Sequence, residues 1–312
     1  MSFDLKKSFT LVEMSIVLSV IALLSGIVIS GASIINSAKA IKIVKEISTY
    51  REAIDSFYKT FDSYPGDYGN AQYNLAPKGY STKTWSEISR EKNILDITPH
   101  DGNQDGVVSN EILNDSGSNY SEVFGVWSHL SAYNLIDKKY SNVCKTSSGA
   151  SVNSGCAKGD YNLPLISLGN NSSSVYIFYH PDYEKSNESN LLGQIIKNEE
   201  MKDLGVMLMV DISHKYTYDG LSLDQNYILG GGGAVKSSLM FIVDKKIDDG
   251  LPLEGNVLGI NGSNEDKKIN ISQKDGQCNT YKGRNSVVPE DTKKILYSND
   301  INKDCIGVIL FR

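Results

Sequence analysis

Basic residues never occur more than two in a row in this chain, and acidic residues outnumber them 37 to 31, for a net charge of −6. That balance offers no positive patch to a polyanion, so nucleic acid and anionic lipid headgroups are not expected as its main partners. Proline is scarce, seven in 312 residues, and none lies between Met1 and Tyr64. Nothing in that stretch breaks a helix. Histidine occurs only at 100, 129, 180 and 214, each isolated in sequence. There is no Gly-x-Ser-x-Gly elbow, no His-Glu-x-x-His pair and no Walker-type phosphate loop. Gly230-Gly231-Gly232-Gly233 lacks the lysine that completes a phosphate cradle and reads as a loop or bulge. Catalysis is therefore not expected. The cysteines show no Cys-x2-Cys or Cys-x3-His spacing, which argues against zinc.

The most informative absence is of charge. From Met14 to Ala38 there are 25 consecutive residues without one ionisable side chain. As a helix this run is about 38 Å long, more than the roughly 30 Å of a bilayer's hydrocarbon core. Lys6 and Lys7 precede it, and the next basic residue is Lys39. The short leader is expected to stay cytoplasmic and the remainder to be exported. A cleaved secretory signal ending near Ser30-Gly31-Ala32 is the rival reading. Against it, helical periodicity continues without a breaker through Ala40, Val44, Ile47, Tyr50 or Arg51, Ile54, Tyr58 and Phe61, until Pro65-Gly66 stops it. One helix of about fifty residues is predicted by this pattern, with a transmembrane part at about 14–36 and an amphipathic part beyond it.

Glu13 opens the uncharged run, where an ionisable group is costly enough to call for a partner. The segment Lys6-Lys7-Ser8-Phe9-Thr10-Leu11-Val12-Glu13 resembles the signal of type IV prepilins and type II secretion pseudopilins, in which a basic leader ends before Phe-Thr-Leu-x-Glu and an apolar helix. The resemblance implies cleavage between Ser8 and Phe9 by a prepilin peptidase, with N-methylation of Phe9. It also implies that Glu13 meets the N-terminal amine of a neighbouring subunit during assembly. Ser8 stands where the family usually has Gly. On this reading residues 1–8 are a cleaved cytoplasmic leader, 9–62 the long helix and 63–312 an exported globular domain. The chain would sit in a bacterial inner membrane by a single pass, its C-terminal domain periplasmic, until drawn into a filament. The implied partners are the peptidase, other pilin-like subunits and the inner-membrane assembly platform, with nucleic acid expected only if the machine is a DNA-uptake filament. A permanently anchored periplasmic binding or enzymatic domain that never polymerises is the alternative.

The region after Asp67 alternates short apolar runs with turn residues. Residues 175–179, 206–210, 239–243 and 306–311 read as strands, and 120–136 as a helix carrying Val123, Trp127, Leu130 and Leu135. The expected fold class is α+β, with the amphipathic half of the long helix on an antiparallel sheet. Tyr64-Pro65-Gly66-Asp67, the 101–106 loop, Val126-Trp127-Ser128-His129-Leu130 before Asn134-Leu135-Ile136, and Lys246-Ile247-Asp248-Asp249-Gly250-Leu251-Pro252 look like a large-domain pilin-like subgroup. His129 reads as a packing or hydrogen-bonding residue rather than a ligand.

Four cysteines in an oxidising compartment allow three pairings. Local pairing, Cys144 with Cys156 and Cys278 with Cys305, closes loops of 13 and 28 residues at the lowest entropic cost. A C-terminal disulfide loop is also similar to the pilin habit. Asp101-Gly-Asn103-Gln-Asp105-Gly106 places oxygen side chains at positions 1, 3 and 5 and a glycine at 6, as a calcium loop of the EF-hand type does. The Val107 carbonyl and the Ser109 hydroxyl could add ligands. Position 12 is Ile112, so Glu111, Asp115 or Glu122 would have to close the sphere from a different geometry. Ca²⁺ is the one cofactor the sequence raises. Asp300-Ile-Asn302-Lys-Asp304 repeats half of this pattern with Cys305 in place of glycine and reads as a polar turn.

Overall fold

The structure, a computed structural model, describes residues 10–75, 99–108, 112–115, 118–140, 163–167, 172–180, 204–211, 232–233, 235–261, 278–280, 295–298 and 304–311. The fold is α+β. Helix α1 (Leu11–Phe61) runs for 51 residues without interruption, as the absence of proline allows. It ends at Asp62, which adopts the left-handed conformation (φ 51°) while its N–H donates to the Tyr58 carbonyl. A short helix α2 (Ala71–Asn74) follows. Next come a hairpin of β1 (Ile112–Asp115) and β2 (Ser118–Ser121), and helix α3 (Glu122–Ala132) directly after it.

The remaining strands form one antiparallel sheet. They are β3 (Leu165–Ser167), β4 (Ser172–His180), β5 (Leu204–Asp211), β6 (Gly232–Gly233), β7 (Val235–Lys236), β8 (Val257–Asn261) and β9 (Asp304–Phe311). Helix α4 (Ser237–Ile247) separates β7 from β8. The order β3-β4-β5-β9 makes the body of the sheet. Strand β9 is shared, pairing with β5 through 307–311, with β8 through 305–309 and with β7 through 304–305.

Burial divides α1 in two. From Leu11 to Leu24 its large apolar side chains stand exposed, Leu11 at 88% and Leu23 at 70%. Among the described residues no helix is long and apolar enough to cross a membrane, the side chains of 26–30 and 32, inside the uncharged run, falling outside that description. From Ala40 onward a stripe is buried: Ala40, Ile43, Ile47, Ala53, Ile54 and Phe57. This is the expected amphipathic half, rotated slightly from the expected face. Ile43 and Phe57 lie deepest, whereas Val44 is half-buried, Tyr58 is 39% exposed and Arg51 faces out. The stripe seats on α3 and α4. Trp127 meets the Tyr50 ring edge-on with centroids 4.9 Å apart, and Phe57 lies 4.6 Å from Phe61 and 6.0 Å from His129.

Two sequence expectations are corrected. Residues 239–243, expected to be a strand, are the middle of α4. Their burial repeats at Leu239, Met240, Val243 and Asp244, a helical spacing that a five-residue apolar run is too short to reveal. The helix expected over 120–136 is shorter, because Tyr120 belongs to β2 and the C-terminal end is a capping motif. There Asn134 is left-handed (φ 60°), the Leu135 N–H donates to the Leu130 carbonyl and the Asn134 N–H to Ser131. This 6→1 and 5→2 pair is the Schellman arrangement, with asparagine in the position that favours glycine. The other expected strands, 175–179, 206–210 and 306–311, fall inside β4, β5 and β9.

Phe57→Ala is expected to cost about 3–5 kcal/mol, since it opens a cavity where α1, α3 and the following turn meet. Tyr73→Ala, at a side chain 90% exposed, should stay within about 0.5 kcal/mol. Urea unfolding of the full chain in detergent, followed by tryptophan fluorescence, measures both.

Candidate functional site

Two places concentrate polar side chains that the sequence singled out. The first is the start of α1. The Thr10 N–H and hydroxyl both donate to Glu13 Oε2, at 2.8 and 2.9 Å, and the Glu13 N–H donates to Thr10 Oγ1 at 3.2 Å. This is a reciprocal capping box, which satisfies donors that a helix start leaves open and places a negative charge at the positive end of the helix dipole. Glu13 therefore has a partner within its own chain. The spacing Thr10-x-x-Glu13 is itself the sequence signal for this motif, and reading Glu13 as an unpaired carboxylate missed it. Ser8 and Phe9 lie outside the described residues.

The second place is the junction where α1 hands over to the rest of the fold. Tyr64-Pro65-Gly66-Asp67 forms a turn, with the Asp67 N–H donating to the Tyr64 carbonyl at 3.2 Å and Gly66 at φ 101°. Proline at the second position and a positive φ at the third are what a type II turn requires. Gly66 has a further reason to lack a side chain, since a Cβ there would come within 2.6 Å of the Glu122 carbonyl oxygen. A Cβ on Gly125 would in turn meet Gly66 Cα at 3.2 Å. Backbone thus lies against backbone at this crossing.

His129 fixes the crossing from beneath. It is fully buried, its Nδ1 accepts from the Gly66 N–H at 2.9 Å, and its Nε2 donates to the His100 carbonyl at 2.8 Å. Both ring nitrogens are occupied, which leaves none for a metal. Burial pushes the imidazole pKa down to about 4, and the two bonds define the neutral tautomer with the proton on Nε2.

Asp67 organises the 101–106 loop. Its side chain is almost fully buried and accepts the N–H groups of Asp105 and Gly106, each at 3.1 Å. Gly102 lies on the Asp67 backbone, where a Cβ would clash at 2.2 Å, and the buried Glu122 accepts the Asn103 N–H at 3.1 Å. Burial, with Asp105 close by, pushes the Asp67 carboxyl up to about 6 even against its N–H donors.

The loop residues raised as calcium ligands are used locally. Asp101 accepts the Gln72 N–H at 2.7 Å, Asn103 the Asp105 N–H at 3.0 Å, and Asp105 the Val107 N–H at 2.8 Å. Among the described residues no group of three or more His, Cys, Asp or Glu stands where it could hold a metal. Ser109 and Glu111 lie outside the described residues, as do Cys144, Cys156, Asp300 and Asn302. Cys278 is disulfide-bonded to Cys305, both fully buried. Asp67 was not legible as a loop organiser, because its partner Asp105 lies 38 residues away in sequence, whereas Glu122, raised as a carboxylate that could close the loop, reaches it as the acceptor of the Asn103 N–H.

No protein-family model, no characterised protein and no solved structure matches the chain.

Asp67 and His129 pull stability in opposite directions. Folded Asp67 keeps its proton to about pH 6 and an unfolded aspartate only to about 3.8, so its contribution falls as pH rises through that window. Folded His129 stays neutral to about pH 4 while an unfolded histidine protonates near 6.5, so its contribution falls as pH drops through that window. Asp67→Asn is expected to tilt the profile of urea midpoint against pH upward between pH 4 and 6, relative to the parent chain. His129→Gln should tilt it downward.

Proposed function

We propose that the chain is a pilin-like structural subunit of a type IV pilus or a type II secretion filament, processed by a prepilin peptidase and assembled through α1. The carrying observation is the division of one unbroken 51-residue helix into an exposed apolar half and a half seated on an α+β body. Such a helix presents a long apolar rod joined rigidly to a folded domain. The rod can exchange lipid for the rods of neighbouring copies, while the domain stays outside. The capping box supports the same reading in a second way, because it holds the Glu13 carboxylate at the tip of the rod beside the backbone of Thr10. An amine created by cleavage before Phe9 would appear one residue away from it.

In this reading the inner membrane is the store and the filament the product, and the domain after residue 62 decorates the outside. Calcium enters only as a proposed ligand of the 101–111 loop, whose Asp101, Asn103 and Asp105 already have structural tasks. The anchored, non-polymerising domain remains the competing class, and the chemistry of the N-terminus separates the two.

Mass spectrometry of the chain isolated from the producing cell's membranes is expected to find a first residue of N-methylated Phe9. An intact Met1, or a start at Ser33, would overturn the proposal. Glu13→Ala is expected to leave the folded domain intact by circular dichroism and to remove the subunit from sheared filament fractions.

A further inference from the structure

Helix α4 ends in a run of carboxylates with an unusual arrangement. Asp244, in its last turn, is fully buried. Its Oδ1 accepts the Gly250 N–H at 3.1 Å and its Oδ2 the Tyr297 hydroxyl at 2.8 Å. Gly250 adopts φ 83°, which presents that N–H to the carboxylate. The turn that follows continues in the same manner: Asp248 Oδ2 accepts from Asn256 and Val257, and Asp249 Oδ1 accepts from Leu251 at 2.7 Å. Tyr297 lies over β8, where a Cβ on Gly259 would meet its ring at 2.3 Å. Its segment is bonded to that of the disulfide through Thr280 to Leu296 and Ser298 to Cys278. One buried carboxylate thus ties together α4, the 248–257 turn and the segment that carries Tyr297.

The charges around it are of the wrong sign for an ionised aspartate. Asp248 and Asp249 in the turn both act on it unfavourably, and the last turn of a helix is the negative end of its dipole. The cations of its own helix, Lys245 and Lys246, are exposed, and Lys245 lies over the Phe241 ring. On α1, against which α4 packs, Lys42 pairs with Glu46. Neither Lys39, Lys45, Arg51 and Lys59 nor the acidic Glu52 and Asp55 of that helix bonds to Asp244. Among the described residues no Lys, Arg or His neutralises it. A buried carboxylate without a cation is held most firmly when it carries a proton.

We propose that Asp244 and Tyr297 form a proton-operated latch, closed while Asp244 is protonated and loosened when it ionises, which controls how tightly the 248–257 turn and the Tyr297 segment are fastened to α4. Burial pushes the Asp244 carboxyl up to about 7, and burial beside Asp244 drives the Tyr297 hydroxyl far up. Tyr297 therefore stays a donor across the whole range. Opening exposes Asp244 to water and returns it to an ordinary acidity, so opening gains on closure as pH rises toward 7 and no further above it. The latch does not depend on the filament reading.

Hydrogen exchange of the full chain in detergent, followed by mass spectrometry from pH 5 to 9 and divided by the intrinsic exchange rate, tests this. Protection of peptides covering 248–259 and 295–298 is expected to fall by about tenfold per pH unit between pH 5 and 6.5 and to level off above about 7. Asp244→Asn should make that profile flat. Tyr297→Phe removes a bond that favours the ionised form, so its levelling point should move to higher pH. A flat profile in the parent, the parent's slope in Asp244→Asn, or a levelling point in Tyr297→Phe at or below the parent's would each overturn the latch.

Discussion

The seat of α1 on α3 and α4 is the contact on which the rest of the structure depends. Ala40, Ile43, Ile47, Ile54 and Phe57 are buried on one side of a helix that continues, unbroken, into an uncharged half with nothing upon it. Successive residues turn by about 100° in an α-helix, so fixing the stripe also fixes which face of the uncharged half looks which way. The aromatic contacts set the height of the seat, Tyr50 against Trp127 and Phe57 against His129. The glycine crossing at 66 and 125 sets its closeness. A force applied to the rod reaches the domain through these contacts and not through a flexible linker.

Around that seat four buried polar side chains are held by the backbone of turns and loops. His129, Asp67, Glu122 and Asp244 are all buried, and each bonds to backbone groups: Gly66 and the His100 carbonyl, Asp105 and Gly106, Asn103, and Gly250, with the Tyr297 hydroxyl as the second donor to Asp244. Carboxylates that accept N–H groups organise turns well, because the acceptor is short and the donors are otherwise orphaned. The cost is that the charged form is held in poor solvent. Asp67 and Asp244 are both displaced upward for that reason.

What the sequence made legible were features carried by spacing along the chain. The proline-free stretch and the stripe at steps of three and four marked α1, although its end is the left-handed Asp62, ahead of Pro65-Gly66. β-Branched runs marked β4, β5 and β9, and the Cys278–Cys305 pair forms, Cys144 and Cys156 lying outside the described residues. Two of the failures share a cause. Leu239–Val243 looked like a strand because five apolar residues carry no period, and only contact with α1 and the sheet reveals its helical burial. Asp67 looked like part of a turn, yet it acts on a loop 38 residues away. Glu13 looked unpartnered at its place beside the uncharged run, although the local Thr10-x-x-Glu13 spacing supplies its partner. Tertiary partners decided the roles of Leu239–Val243 and Asp67, whereas the role of Glu13 is local.

In the proposed assembly the uncharged half of α1 ends packed against the helices of other subunits. A photo-crosslinking amino acid placed at Leu23, 70% exposed in the single chain, tests it most directly in cells that carry the whole assembly machinery. Crosslinks to pilin-like subunits are expected, and only when the prepilin peptidase is active. Crosslinks to lipid alone, unchanged by the peptidase, would contradict it and leave α1 as an anchor.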